Sequence, residues 1–276
     1  MVEKKTEPWI LVTNDDGADS PALLPLLKKL SELAPLHAVV PSSERSWSAK
    51  ILSRFEALEM RPYELAESPC PIWTLSGYPA DCANAGIYNL CSAPPALAVT
   101  GINVGANVGQ AYFFSSGTVG AAIESALGGV PSVAFSLQLN KEDYRRWRQY
   151  RDPGPTSIWQ DAASVASQIV AEIWARGLPA DADLLNVNMP PRTGPDTPRR
   201  FATLSTNSYG RFFARDGPTG RLAYSGVEAQ IQVADSMGDV ETLARGEVAL
   251  TPIRLAIHQT PAAVDRRRFE GPSDSC

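Results

Sequence analysis

Trp9-Ile-Leu-Val-Thr-Asn-Asp-Asp-Gly17 is the stretch on which the fold depends. Its first five residues form a near-continuous apolar run, far too short to cross a bilayer. With no polar alternation, the run reads as a strand covered on both faces, as in the middle of a parallel sheet. Turn formers and two adjacent carboxylates follow. In a doubly wound sheet, ligands bind beyond the carboxyl ends of the strands, so Asp15 and Asp16 fall where a site belongs. Neighbouring carboxylates repel unless a cation sits between them, and Gly17 permits the tight backbone that turns both toward one point. Hard oxygen donors of this kind suit Mg²⁺ or Mn²⁺. The plain alternative is a capping turn, which Asn, Asp and Gly also form.

Outward from this stretch, strands and helices alternate. Ser20 reads as an N-cap and Pro21 as the first helical residue, with Leu23, Leu24, Leu27, Leu30 and Leu33 at helical spacing. Buried-strand patterns recur at 36–40, 96–100 and 132–136, and a small-residue helix over 118–127 stops at Gly128-Gly129. A helix over 157–175 and a strand over 184–188 follow. This order predicts an α/β fold with three layers, a Rossmann-like, mostly parallel sheet between helices. From about 200 to 252 the pattern changes to alternating segments with Gly-rich breaks, which predicts a C-terminal β-hairpin arm suited to dimer contacts. Residues 1–260 are then one domain, and the charged tail 261–276 is expected to be disordered.

Composition narrows the function. At 276 residues and 44% hydrophobic content the chain can bury a large core. A formal net charge of −5 offers no bulk attraction to a nucleic-acid polymer or an anionic membrane, so any phosphate must be bound locally. The opening residues carry Lys4 and Lys5 but no secretory apolar region. Cys70, Cys82, Cys91 and Cys276 show no C-x-x-C spacing, and His37 and His258 are not placed to complete a zinc site; a reduced, cytoplasmic protein is expected. There is no P-loop and no G-x-S-x-G elbow, and His37, inside an apolar strand, reads as packed rather than catalytic.

Three further segments could carry chemistry. In Val40-Pro-Ser-Ser-Glu-Arg-Ser-Trp-Ser48, Ser46 could give a hydroxyl oxygen to a metal, and Arg45 could pair with a carboxylate or face a phosphate. The bland reading is a solvated loop. Gly101-Ile-Asn-Val-Gly-Ala-Asn-Val-Gly109 places Asn103 and Asn107 between glycines that let backbone approach a ligand. Ser115-Ser-Gly-Thr118 opens a helix, and exposed N–H groups at a helix start attract phosphate. Simple N-capping by Ser116 or Thr118 would look the same in sequence.

Taken in order, these motifs form a set. Ile10-Leu-Val-Thr-Asn-Asp-Asp-Gly17, Pro41…Glu44-Arg-Ser46, Gly77-Tyr-Pro-Ala-Asp-Cys82, Gly101-Ile-Asn103…Asn107-Val-Gly109 and Ser116-Gly-Thr-Val-Gly120 together resemble the SurE family of 5′/3′-nucleotidases. The likeness runs on through Leu185-Asn-Val-Asn-Met-Pro190 and Gly246-Glu-Val-Ala-Leu-Thr-Pro-Ile253. The resemblance implies one divalent ion, Mg²⁺ or Mn²⁺, per subunit, held by Asp15, Asp16, Ser46 and Asn103. It also implies that Asn107, Ser116, Gly117 and Thr118 lie beside the phosphate of a nucleoside monophosphate, and that the arm joins a homodimer or homotetramer. The chain departs from the family pattern at Trp47-Ser-Ala-Lys-Ile51, where the family runs through glycines, and at Tyr78, Ala96-Leu-Ala-Val and Val104. These changes bear on substrate preference.

The expected activity is therefore metal-dependent hydrolysis of nucleoside 5′- and 3′-monophosphates to nucleoside and phosphate. Asp15, Asp16 and Asn103 are the expected catalytic residues. Two other classes stay open on the residues alone. An acidic pair after a strand can hold Mg²⁺ on the diphosphate of a nucleotide-sugar glycosyltransferase, and a nucleotide-binding module could carry the same loops without turnover.

Overall fold

The computed structural model describes residues 7–217, 220–226, 228–232, 235–256 and 260–270. The opening run is β1 (Ile10–Thr13), with every residue buried. Ile10 and Val12 pack on one face against leucines of α1 (Leu23–Leu30) and apolar residues of α6 (Thr156–Arg176). Leu11 points the other way, into a cluster with Cys82 and Ile87 of α2 (Pro79–Asn89). Two covered faces explain why the strand carries no polar alternation.

Around β1 lie β2 (Leu36–Pro41), β3 (Met60–Tyr63), β4 (Ile72–Leu75), β5 (Leu97–Val104), β6 (Ser132–Leu137), β7 (Leu184–Met189), β8 (Arg199–Phe201) and β13 (Val248–Ile253). They form a nine-stranded sheet in the order β3-β4-β2-β1-β5-β6-β7-β13-β8, antiparallel only at β3–β4 and β7–β13. Helices on both faces complete the three-layer, mostly parallel α/β architecture that the alternation of patterns predicts. From β1 the chain first builds outward through β2 and β4, then returns to place β5 on the other side of β1. That reversal opens a crevice between the carboxyl ends of β1 and β5. It is walled by residues of α3 (Gly109–Ser115) and α5 (Lys141–Tyr150), and α4 (Gly117–Leu127) packs on the sheet beside it.

Some boundaries differ from the sequence reading. The first helix begins at Leu23, with Ala22 rather than Ser20 before it, and Pro25 rather than Pro21 sits in its first turn. Proline is tolerated there because the first turn's N–H groups have no helical acceptor. Leu33 lies past its end. The expected arm is narrower than 200–252. β8 and β13 join the main sheet, because Val248 and Ala249 are fully buried beside β7. What projects is β9 (Asn207–Ser208) paired with β12 (Gln230–Ile231), and the exposed hairpin of β10 (Phe213–Asp216) and β11 (Arg221–Tyr224). Two short helices follow in sequence, α7 (Asp239–Ala244) before β13 and α8 (Ala263–Phe269) near the end. The tail was expected to be structureless, yet 263–269 is helical; Asp265 in its first turn and Arg268 in its last favour this through the helix dipole. Residues 271–276, with Cys276, and residues 257–259, with His258, lie outside the described residues.

Gly86 of α2 lies so close to β1 that a Cβ there would meet Leu11 Cδ1 at 2.5 Å. Leu11→Ala alone is expected to cost about 2–5 kcal/mol. Adding Gly86→Ala should recover part of that loss, because the new methyl fills the space that Leu11 vacates. Urea unfolding of both single variants and the double variant checks this. Strict additivity would mean that the two positions do not share a packing site.

Candidate active site

The acidic turn after β1 is fixed by its own first residue. Asn14 is fully buried; its Oδ1 accepts from Gly17 N and its Nδ2 donates to Gly17 O, both at 2.9 Å. Gly17 adopts φ +84°, and a Cβ there would lie 3.1 Å from Pro41 O, so glycine is needed for conformation and for space. With the turn closed, the acids diverge. Asp15 Oδ1 accepts from Thr118 Oγ1 at 2.7 Å, toward the start of α4. Asp16 Oδ2 accepts from Val104 N at 3.3 Å, toward the end of β5.

The loop after β2 is tied to this turn through backbone: Arg45 N donates to Asp15 O at 2.7 Å. Ser46 Oγ donates to Glu44 Oε1 at 2.8 Å, and Glu44 is gripped by Arg148 and Arg151 at the end of α5. Arg45 itself stacks over Tyr78, 5.0 Å from the ring centre, and is not among the residues that line the cavity beside Asp15 and Asp16.

Asn103 lies after a bulge in β5, where the pairing with β6 shifts between Thr100 and Asn103. Gly101 (φ +114°) makes this possible, since a side chain there would collide with Phe135 O. Asn103 Nδ2 donates to Gly105 O at 2.6 Å, committing the donor half of the amide. Asn107 is held on every side. Its N–H donates to Asn188 Oδ1 (2.7 Å), its Nδ2 to Ser136 Oγ (2.8 Å), and its carbonyl accepts from Asn186 Nδ2 (3.0 Å).

These parts surround one cavity of about 510 Å³, lined by Asp15, Asp16, Ser46, Asn103, Asn107 and Ser116 among others. Ser116 is also the N-cap of α4, accepting from Val119 N at 3.1 Å, so the capping reading holds for it. Gly117 and Thr118 are not on the cavity wall. Thr118 is fully buried behind Asp15 and spends its hydroxyl on that carboxylate, while Gly117 is small because Ser48 and Asp15 press against it.

The electrostatics follow from enclosure. Burial pushes Asp15 up to about 6, against the hydrogen bond from Thr118, which favours ionisation. Asp16 is raised well above the ordinary carboxylate range, by burial first and then by the charge of Asp15. Partial burial raises Glu44 too, but hydrogen bonds from Ser46 and Arg151 outweigh it and hold that carboxyl below its usual value. No salt bridge among the described residues reaches Asp15 or Asp16, and the charge of Arg151 lowers Asp16 less than burial and Asp15 raise it. Among the described residues no three His, Cys, Asp or Glu side chains cluster as a metal site. The donors that do meet, two carboxylates with a hydroxyl and an amide oxygen, are all hard oxygens and fit a small divalent cation. His37 packs edge-on against Trp9 at 5.0 Å, far from this chemistry in its contacts.

Several supporting residues give no local sequence signal. Asn186, Asn188 and Ser136 brace Asn107, and the buried Asp239 of α7 accepts from Gly109 N at 2.9 Å and Ser205 N at 3.1 Å. Asp239 lies 130 positions from Gly109, so only the folded topology brings them together. The Leu185–Pro190 motif holds both asparagines, but a buried strand normally carries none, and that mismatch was the available clue.

Against known proteins, the profile described as Survival protein SurE matches residues 10–211. The chain is 33% identical to the 5′-nucleotidase SurE of Methanoregula boonei over 95% of this chain and 98% of that one. It is 34% identical to the 5′-nucleotidase SurE of Geotalea daltonii over 89% and 92%. The crystal structure of the Sure protein from Aquifex aeolicus superposes with a TM-score of 0.75 at 27% identity, covering 95% of this chain and all of that one.

The acid pair gives a measurable signature. A carboxyl whose folded pKa is about 6, against roughly 3.9 unfolded, contributes stability present below pH ~4 and lost as pH rises through ~6. In EDTA, Asp16→Asn removes the like charge. Its Tm is expected to exceed that of the unsubstituted protein at pH 8 and to match it near pH 4. Equal Tm values at pH 8 would show that the two acids do not oppose each other.

Proposed function

The chain belongs to the SurE family, and from that premise we propose that it is a metal-dependent 5′-nucleotidase that releases phosphate from nucleoside 5′- and 3′-monophosphates. The observation that carries this reading is the Asp15–Asp16 pair at the sheet's crevice, Asp15 buried and Asp16 partly so, both carboxyls raised by enclosure against a smaller opposing charge from Arg151 at Asp16. Asp15, Asp16, Ser46 and Asn103 would hold one Mg²⁺ or Mn²⁺ ion. When bound, that ion supplies positive charge that draws electron density from a phosphate oxygen.

The chain's own groups do the rest. Ser116 brings the positive end of the α4 dipole to the cavity wall, which favours negative charge there, and Asn107 offers a braced amide beside it. Because Asn107 is fixed by Asn188, Ser136 and Asn186, it needs no reorganisation when a phosphate arrives. Asp15 Oδ1 and Asp16 Oδ2 already accept hydrogen bonds, so Oδ2 of Asp15 and Oδ1 of Asp16 are the oxygens open to the proton of an attacking water.

We read residues up to about 260 as one catalytic unit, joined to its copies as a homodimer or homotetramer through the exposed hairpin at 213–224. Phe213 and Leu222 there are apolar and more than half exposed. Free Cys70, Cys82 and Cys91 support operation in the reducing cytoplasm. Among the described residues no helix is long and apolar enough to cross a membrane.

Phosphate release from AMP in water, with Mn²⁺ and with EDTA, tests the reading. Turnover with Mn²⁺ that EDTA abolishes is expected; a glycosyltransferase would need an acceptor, and an inactive module would release nothing. Asp15→Asn should lower kcat by roughly 10²-fold or more and should remove the Tm increase that Mn²⁺ gives the unsubstituted protein. Near-normal activity in that variant would refute the assignment of Asp15.

A further inference from the structure

The cavity has a second end that phosphate chemistry does not use. Trp47 and Tyr112 line the same space as Asp15, Asp16 and Asn107, together with Tyr224 of the projecting hairpin. Trp47 lies 6.0 Å from Tyr112, 5.5 Å from Tyr209 and 5.6 Å from Phe212, ring centre to ring centre, and Phe212 meets Tyr224 at 4.8 Å. These rings come from three separate segments, yet they do not form a closed core. Trp47 is 53% exposed, where Trp9, Trp147 and Trp159 are 6% or less.

The backbone at Trp47 is also unusual. It sits at φ +62°, a left-handed conformation that a bulky side chain rarely adopts. Such strain persists where the surroundings impose it, and here they do. Two residues before, Arg45 N is bonded to Asp15 O; two residues after, Ala49 N is bonded to Ser115 O at 3.1 Å. The indole is therefore anchored on both sides, to the acidic turn and to the end of α3, next to the phosphate end. Tyr112 is fixed in turn, its hydroxyl accepting from Ala229 N at 3.0 Å. A cavity of about 510 Å³ is large enough for a nucleotide, which binding sites of roughly 300–1,000 Å³ accommodate.

We propose that Trp47, flanked by Tyr112 and Tyr224, is the nucleobase subsite of this enzyme and selects nucleotides over base-free phosphate esters by stacking. This rests on the nucleotidase reading and adds to it a residue that determines specificity. Stacking depends on a π-face that every base has, so the subsite senses the presence of a base more than its identity.

Trp47→Gly is the informative variant, because glycine takes φ +62° without strain and so removes the ring while sparing the loop. Adenosine binding, followed by calorimetry, should weaken roughly tenfold in Trp47→Gly and stay within about threefold in Trp47→Phe, which keeps a stacking ring. The ratio of kcat/KM for AMP to that for ribose 5-phosphate should fall by a similar factor in Trp47→Gly, through KM for AMP. An unchanged ratio, or an equal loss on both substrates, would overturn the subsite while the phosphatase stands. Trp47-dependent adenosine binding with no phosphate released from either ester would instead overturn the phosphatase and leave the subsite in place.

Discussion

Two carboxylates on consecutive residues, Asp15 buried and Asp16 partly so, share one crevice where desolvation raises both and the charge of Asp15 adds to it at Asp16, and most of the architecture around β1 serves to keep them there. The turn that presents them is locked by Asn14 and Gly17, and the strand below is buried on both faces. Neither acid can swing out to solvent without breaking a hydrogen bond, Asp15 to Thr118 or Asp16 to Val104. A divalent cation bound there would relieve the desolvation and the mutual repulsion that raise the two carboxyls. Strain of this type is expected where binding matters more than stability.

Each neighbouring loop is registered to that acidic turn by a specific bond. The Ser46 loop joins through Arg45 N to Asp15 O, the start of α4 through Thr118, and the glycine-rich segment through Val104 N. A second tier then fixes the glycine-rich segment from behind. Asn186 and Asn188 reach it from β7, and Asp239 reaches it from α7. Glu44 links the loop to α5 through Arg148 and Arg151, which keeps that acid satisfied.

The layered fold was legible because burial on both faces imposes a continuous apolar pattern, as in β1, β2 and β6. The acidic turn was legible for a related reason: Asn-Asp-Asp-Gly at the end of such a strand has one obvious place to go. Local rules failed where two patterns compete. Ser20-Pro21 looks like a helix start, but Pro25 fits the first turn as well, and burial of Leu23 decides between them. Val248–Ile253 alternates as an arm strand would, yet it closes the main sheet, since pairing with β7 is a long-range choice that no local pattern encodes. Thr118 was read as touching ligand; a hydroxyl beside a helix start looks identical in sequence whether it faces outward or supports a buried acid.

The same contrast separates the two ends of the cavity. Holding a cation and a phosphoryl group demands oxygens placed to a fraction of an ångström, and such groups are built on strand ends and a helix start, the most rigid parts of the sheet. That rigidity leaves a compact sequence motif. Stacking a flat ring tolerates displacement, so its partners can come from a loop at 47, a helix at 112 and a hairpin at 224, with nothing in the sequence to join them. Trp47 couples the two ends, because the hydrogen bonds on either side of it belong to the rigid end while its ring belongs to the tolerant one. A single strained residue thus sets how far a base lies from the acids, and it does so without taking part in the chemistry.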